Sequence, residues 1–440
     1  MNSPISQIRV GLELTEAVLP LGRFALRDGR IYFEYDPAFL DGGLEVSPFN
    51  LPLRPGVQTF DPLLFEGLPG VFNDSLPDGW GRLLFDRMMR SGGVPSGEMT
   101  VLDRLAHVGR TGMGALVYEP DSGDGAPDSD VDLDQLAAHA QEVLDGEAGE
   151  VLEELLALSG SSAGARPKVM IGLDAGRRTA IHGTCTLPEG FEPWLVKFPT
   201  HGDGLGAGAI EYVYALMAKN AGLDMTDVNL FPARKGAGYF ATKRFDRRDG
   251  HRLHAHSACG LLHSDFRTPS LDYEDLIALT MALTRDTREA EKMFRLAVFN
   301  VLAHNRDDHS KNFSFLMDAQ GDWTLSPAYD LTYAPGPGGE QSTLVMGEGR
   351  NPGTEHLIRL GLETELTRSR INDIMEQVKA ALSQWRELAK EHGVAQTDID
   401  WIAERIESPW AVVVTDNLTS PCQAGVTGRN QNPMPTPRNR

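Results

Sequence analysis

Cysteine is nearly absent: Cys185, Cys259 and Cys422 are the three in 440 residues, far apart and odd in number. That excludes a disulfide framework and a zinc-ligand spacing. Basic charge is also short, with 41 Lys and Arg against 62 Asp and Glu and a formal net charge of -21. A negative field of this size repels duplex DNA and anionic membranes, so neither is expected as a main direct ligand without a local basic patch. No apolar stretch approaches the ~18 residues that a membrane helix needs. The opening, MNSPISQIRVGLEL, has neither the basic start nor the apolar run of a signal peptide. A soluble cytoplasmic protein with no membrane partner is expected.

Hydrophobic residues make up 41% of the chain, enough for sizeable cores, and its length asks for more than one of them. The first hundred residues are rich in Gly, Pro and strand-like segments. In GRFALRDGRIYFEYD, Phe24, Leu26, Ile31, Phe33 and Tyr35 alternate around Asp28-Gly29, which predicts a hairpin. In LPDGWGRLLFDRMMRSGG, Leu83, Leu84, Arg87 and Met88 stand at helical spacing before a glycine stop. The segment EPDSGDGAPDSDVDLD, residues 119–134, is acidic and rich in Gly, Pro and Ser; without a calcium loop's glycine and closing glutamate it predicts a solvated linker. Asp132 or Asp134 is placed to cap the helix that follows.

Beyond the linker, strand-like VMIGLD, PWLVKFP and GYFATKRFDR come before YEDLIALTMALT and EAEKMFRLAVFNVLAHN, which are helical. Strands first and helices afterwards predict a sheet-rich lobe followed by a helical lobe, an α+β class. The expected domains are 1–118, the linker 119–134, a sheet-rich lobe 135–270, a helical lobe 271–414 and a disordered tail 415–440.

The densest chemistry is NRDDHSKNFS, residues 305–314. Asp307 and Asn312 have the D-x-x-x-x-N spacing by which kinase catalytic loops place a proton acceptor and a magnesium ligand. The same spacing selects Asp307 over its neighbour Asp308. Phe313, Phe315, Trp323 and Leu325 then flank a Gln320-Gly321-Asp322 turn, and Asp330 closes the stretch in SPAYDL. Asn312 and Asp330 are hard oxygen donors of the kind magnesium prefers. Upstream, Lys197 lies inside WLVKFP and Glu211 opens the next helix, so the two could form an ion pair. An edge-strand lysine pointing at solvent and a dipole-favoured surface glutamate are the plain alternatives.

Taken in order, SSAGARPK, LVKFP, RFDR, HNRDDHSKNFS and PAYDL resemble the HipA family of bacterial serine/threonine kinases, the toxin halves of type II toxin–antitoxin systems. GVFNDSLPDGWG resembles that family's N-terminal domain, and the likeness spans residues 8–404. It implies a small N-terminal α/β domain followed by a two-lobed, protein-kinase-like core. It implies Asp307 as catalytic base, Asn312 and Asp330 on Mg2+, and Lys197 on the phosphates of ATP. Ala163, Gly164, Ala165, Arg166, Pro167 and Lys168 match the phosphate loop. Lys243, Arg244 and Phe245 fall where a linker strand meets adenine through its backbone, with Asp246 near the ribose. His309, Ser310, Lys311 and Tyr329 belong to the nucleotide-contacting region. Ser161, or its neighbour Ser162, matches the serine that the family autophosphorylates. The implied partners are a helix-turn-helix antitoxin dimer, operator DNA reached mainly through it, and a protein substrate such as an aminoacyl-tRNA synthetase.

There is no H-R-D, D-F-G or G-x-G-x-x-G, so an ordinary protein kinase is not expected. Two other classes compete. A metal-dependent hydrolase could use His304, Asp307, Asp308, His309 and Asp330 as cation ligands. A catalytically silent, kinase-like binding module could keep the loop as scaffold. His304 otherwise reads as a histidine whose charge suits a helix C-terminus.

Overall fold

The computed structural model describes residues 5–95, 97–122, 131–146, 151–159, 164–183, 187–268 and 270–407. The tail 415–440, residues 123–130 of the linker 119–134, and Ser161, Ser162 and Ala163 of the expected phosphate-loop region lie outside them.

The predicted hairpin forms between strands Leu19–Arg27 and Arg30–Tyr35, turned by Asp28 and Gly29 at φ 51 and 72. Both angles lie in the left-handed region that an Asp-Gly pair tolerates best. Gln7–Leu12, Gln58–Thr59 and Leu116–Glu119 complete a five-stranded antiparallel sheet. One face buries Phe24, Phe33 and Tyr35 against Phe72, with Phe24 and Phe72 edge to face at 4.8 Å. Each such burial contributes about 1.5–3 kcal/mol.

A second antiparallel sheet runs in the order Ala180–His182, Lys168–Asp174, Phe191–Lys197, Tyr239–Lys243, Val228–Phe231. The helix Gly79–Ser91, early in the chain, packs here: Trp80, Leu84 and Phe85 share a core with Val169, Ile171 and Trp194. The helix Leu133–Asp145 joins the same core, and Asp132 caps it by accepting from the Asp134 and Gln135 amides at 2.9 and 3.2 Å.

Helix Ala207–Asn220 links this lobe to the helical one. Its Tyr214 packs on Phe299 and Trp385 and donates to the Ala303 carbonyl at 2.8 Å. The helical lobe is built on Tyr273–Thr284, Thr287–Leu302, Thr354–Glu363, Arg368–Leu382, Trp385–Glu391 and Gln396–Glu407. None of the described helices is long and apolar enough to cross a membrane.

The expected hairpin after the catalytic loop, Ser314–Met317 with Trp323–Leu325, gains a third strand, His254–Ser257. This small sheet fastens the N-terminal sheet region. Asp74 accepts from His256 Nδ1 at 2.6 Å and from the Ser257 amide and hydroxyl, both at 2.7 Å, while His256 Nε2 meets Ser47 Oγ at 3.0 Å. Ser47 and His256 are buried, so this Ser-His-Asp line is a seam and not a reactive site.

Neighbouring His254 is wholly buried, and burial, then His256, pushes its imidazole down to about 4. Between the ordinary value and that one, the unfolded chain takes a proton that the folded chain refuses. Stability therefore falls as pH drops through this window, by on the order of 3 kcal/mol for this one group. Urea unfolding at about pH 7 and about pH 5 should show roughly 2 kcal/mol of this loss, and less in His254→Gln.

Candidate active site

Helix Thr287–Leu302 delivers the loop. His304 takes φ 56 and turns the chain sharply, and its ring stacks with Tyr333 at 5.5 Å. Burial, then Arg306, lowers its imidazole to about 4, so the expected helix-terminal charge is absent at neutral pH. A hydrogen-bond chain then sets the loop: Asn305 donates to Asn300 at 2.9 Å, Asn300 to the Tyr273 hydroxyl at 2.9 Å, and Tyr273 to Asp308 at 2.8 Å. Asp308 also accepts from Gln341 Nε2 and the Ser342 amide at 2.9 Å and from the Thr343 amide at 3.2 Å. Burial pushes Asp308 up to about 7, and these donors oppose that.

The adjacent aspartates thus have opposite fates. Asp308 is buried as an anchor, whereas Asp307 is exposed toward the cleft. Lost hydration and Asp330 raise the Asp307 carboxyl above its ordinary range, while His309 and Arg166 pull the other way. A raised carboxylate is a better proton acceptor.

Lys197 ends its strand on the floor of the site. Its ammonium donates to Glu211 Oε1 at 2.6 Å and to Asp330 Oδ1. Burial works against that charge, but Asp330 and Glu211 outweigh it and raise the pKa. The plain alternative of a solvent-facing lysine is overturned. Asp330 stands at φ 57, and although burial disfavours its charge, Lys197, Lys168 and Arg166 hold its carboxyl far below the usual range. Asn312 donates through Nδ2 to the Asp307 carbonyl at 2.8 Å, which fixes its carboxamide beside Asp307. A carboxylate whose charge Lys197 favours and a carboxamide oxygen are hard donors without sulfur, and that set fits Mg2+.

Among the described residues, no group of three or more His, Cys, Asp or Glu side chains converges on a cation position. Asp308 is tied to Tyr273, and the His304 ring stacks on Tyr333.

Other site expectations fare unevenly. Ala165 is exposed, Gly164 and Arg166 are half-buried and Pro167 is buried, with Lys168 starting the next strand. Arg166 is committed to Asp203 at 2.9 Å and reaches Glu211 at 3.7 Å. Burial, then Lys197, lowers Lys168 to about 8. In the segment expected to meet adenine, the Lys243 and Arg244 amides are already donated to the Asp227 and Pro193 carbonyls, both at 2.9 Å. Phe245 lies 5.4 Å from Tyr329, whose hydroxyl donates to the Lys311 carbonyl at 2.5 Å.

Two expectations are corrected. Asp246 does not face a ribose: it is completely buried and accepts from Arg244, Arg247 Nη1 at 2.6 Å and the Gly114 amide at 2.7 Å. Ser310 turns inward and donates to the Ser264 carbonyl at 3.0 Å. His309 stays at the cleft, 5.3 Å from Phe266, and Lys311 pairs with Asp78 at 2.6 Å. Asp78 and Asp203 escaped the sequence reading. Each is a lone aspartate in a glycine-containing loop, and only long-range packing brings it to the site.

A strand lysine clamped by a helix glutamate, an aspartate past a hairpin and an exposed aspartate in the loop between the lobes define a two-lobed, protein-kinase-like fold. The chain belongs to the HipA family: residues 160–385 match the HipA-like C-terminal domain and residues 17–119 the HipA N-terminal domain. Two Sinorhizobium fredii proteins whose provisional names call them kinases are similar. Y4dM is 25% identical, covering 89% of this chain and 91% of its own. Y4mE is 29% identical, covering 69% and 72%. A chain in the solved complex of the Shewanella oneidensis MR-1 toxin–antitoxin system HipA, HipB and its operator DNA superposes with a TM-score of 0.64 at 18% identity, covering 91% of this chain and 96% of that one.

Proposed function

We propose that this chain is an ATP-dependent serine/threonine protein kinase and the toxin of a type II toxin–antitoxin pair. The observation that carries the reading is the buried Lys197–Glu211–Asp330 cluster beside an Asp307 that alone of the aspartate pair faces the cleft. Bound magnesium–ATP would supply the phosphoryl group. Lys197 would hold its phosphates, positioned by Glu211. Asp330 and Asn312 would hold the cation, and Asp307 would orient the attacking hydroxyl and accept its proton. Transfer of radiolabel from ATP to a protein hydroxyl, lost in Asp307→Asn, tests this.

The substrate is a hydroxyl-bearing protein, with an aminoacyl-tRNA synthetase as the family's precedent. The partner is a helix-turn-helix antitoxin dimer, a reading supported by the HipB in the Shewanella oneidensis complex. The acidic charge of -21 favours contact with operator DNA mainly through that antitoxin.

The chain also silences itself by phosphorylating Ser161 or Ser162. A phosphate there adds about -1.5 to -2 charge next to a loop that must cradle phosphates. Incubation with magnesium–ATP should therefore add one phosphate at this pair and abolish activity. Mass spectrometry showing full modification with undiminished activity would sink this.

A further inference from the structure

We infer that Asp78 is a positioning residue for the nucleotide site, its carboxylate fastening Gly164 of the phosphate loop to Lys311 of the catalytic loop. The inference rests on the kinase reading only in taking ATP as the ligand. Asp78 is buried at 8% exposure. Its Oδ1 accepts the Gly164 amide, and its Oδ2 accepts Lys311 Nζ at 2.6 Å. One side chain from the N-terminal region thus spans both loops that the reading allots to ATP.

The next two residues close on the same point. Gly79 has φ 42, and a Cβ there would lie 2.6 Å from the Gly164 carbonyl oxygen and 2.7 Å from the Ala165 Cα. Only glycine lets the two backbones meet so closely. Trp80 donates its amide to the Gly164 carbonyl at 3.1 Å and its indole N–H to Ser159 Oγ at 3.1 Å. Asp78, Gly79 and Trp80 together clasp the loop at the Gly164 amide, the Gly164 carbonyl and the Ala165 Cα.

The physical role follows from entropy and charge. A glycine-containing loop that must aim N–H groups at phosphates loses conformational freedom when ATP binds. A clasp that orders it beforehand raises the competent fraction, and apparent affinity scales with that fraction. Lys168, Lys197 and Lys311 also crowd the site, so a carboxylate among them offsets their repulsion. The opposite role, a carboxylate competing with ATP for Lys311, predicts tighter nucleotide binding once Asp78 is removed.

The test uses the full chain as wild type, Asp78→Asn and Asp78→Glu, with ATP binding, KM against kcat, and hydrogen exchange at Gly164 as readouts. A hydrogen bond to a charged group is worth about 1.5–3 kcal/mol, so Kd and KM for ATP should rise about tenfold or more in Asp78→Asn. The kcat should change far less, because Asp307 and Asp330 are untouched. Gly164 should exchange faster in that variant without nucleotide, and Asp78→Glu should recover part of both effects. Where Asp78→Asn fails to fold, Asp78→Glu carries the comparison, with a smaller shift in the same direction. Unchanged or tighter ATP binding in a folded variant overturns the inference. If wild type neither binds nor uses ATP, the kinase reading fails instead. Exchange at Gly164 still decides the clasp in that case, and equal rates in all three proteins overturn it.

Discussion

Replacing Asp307 by Asn is expected to lower phosphoryl transfer by about a hundred- to ten-thousandfold while leaving ATP affinity and the melting temperature close to wild type. The side chain is exposed and makes no structural contact comparable to that of Asp308, so the change removes a proton acceptor and little else. Asp330→Ala should behave differently. It deletes the oxygen donor assigned to magnesium and releases Lys197 from one of its two carboxylates, so magnesium–ATP binding itself should weaken. Single-turnover transfer and equilibrium ATP binding, measured on both variants, separate these roles. Full activity in Asp307→Asn, or normal magnesium–ATP binding in Asp330→Ala, would show the assignment to be wrong.

The largest stability loss is expected from Asp246→Ala, about 3–5 kcal/mol. Asp246 is completely buried between Arg244 and Arg247 and takes the Gly114 amide as well. Although burial disfavours its charge, Arg244 and Arg247 hold its carboxyl far below the ordinary range. Its stabilising contribution is therefore present above the unfolded carboxyl's pKa and is lost only as pH falls toward the lower folded value. Without it, two cations remain close together, and the Gly114 amide loses its acceptor. Asp246→Asn keeps the shape and loses the charge, so it should fall between wild type and alanine in chemical denaturation. An alanine variant as stable as wild type would mean that the arginines find other partners at no cost.

Local patterns explain what could be read early. The Asp28-Gly29 hairpin, the glycine stop after Gly79–Ser91, the Asp132 cap and the Gln320-Gly321-Asp322 turn are each decided within a few residues, by φ preferences and by side chains bonding nearby amides. Helical and strand periods likewise announced a sheet-rich lobe before a helical one. Asp307 and Asn312 meet because both sit on one short loop, where Asn312 donates to the Asp307 carbonyl at 2.8 Å.

The sequence by itself determined the order of elements, the acidic field, and the roster of lysine, glutamate, aspartate and asparagine from which a kinase-like site is drawn. Tertiary structure alone decided which members face the cleft. Asp307 and Asp308 are chemically identical neighbours, and only the distant donors Tyr273, Gln341, Ser342 and Thr343 turn one inward and leave the other outward. Asp246 went to a buried arginine pair, and Asp78 came to the site from 86 residues before Gly164. No local rule reaches that far. A buried charge is placed by the partners that offset its desolvation, and those are assembled only when the chain folds.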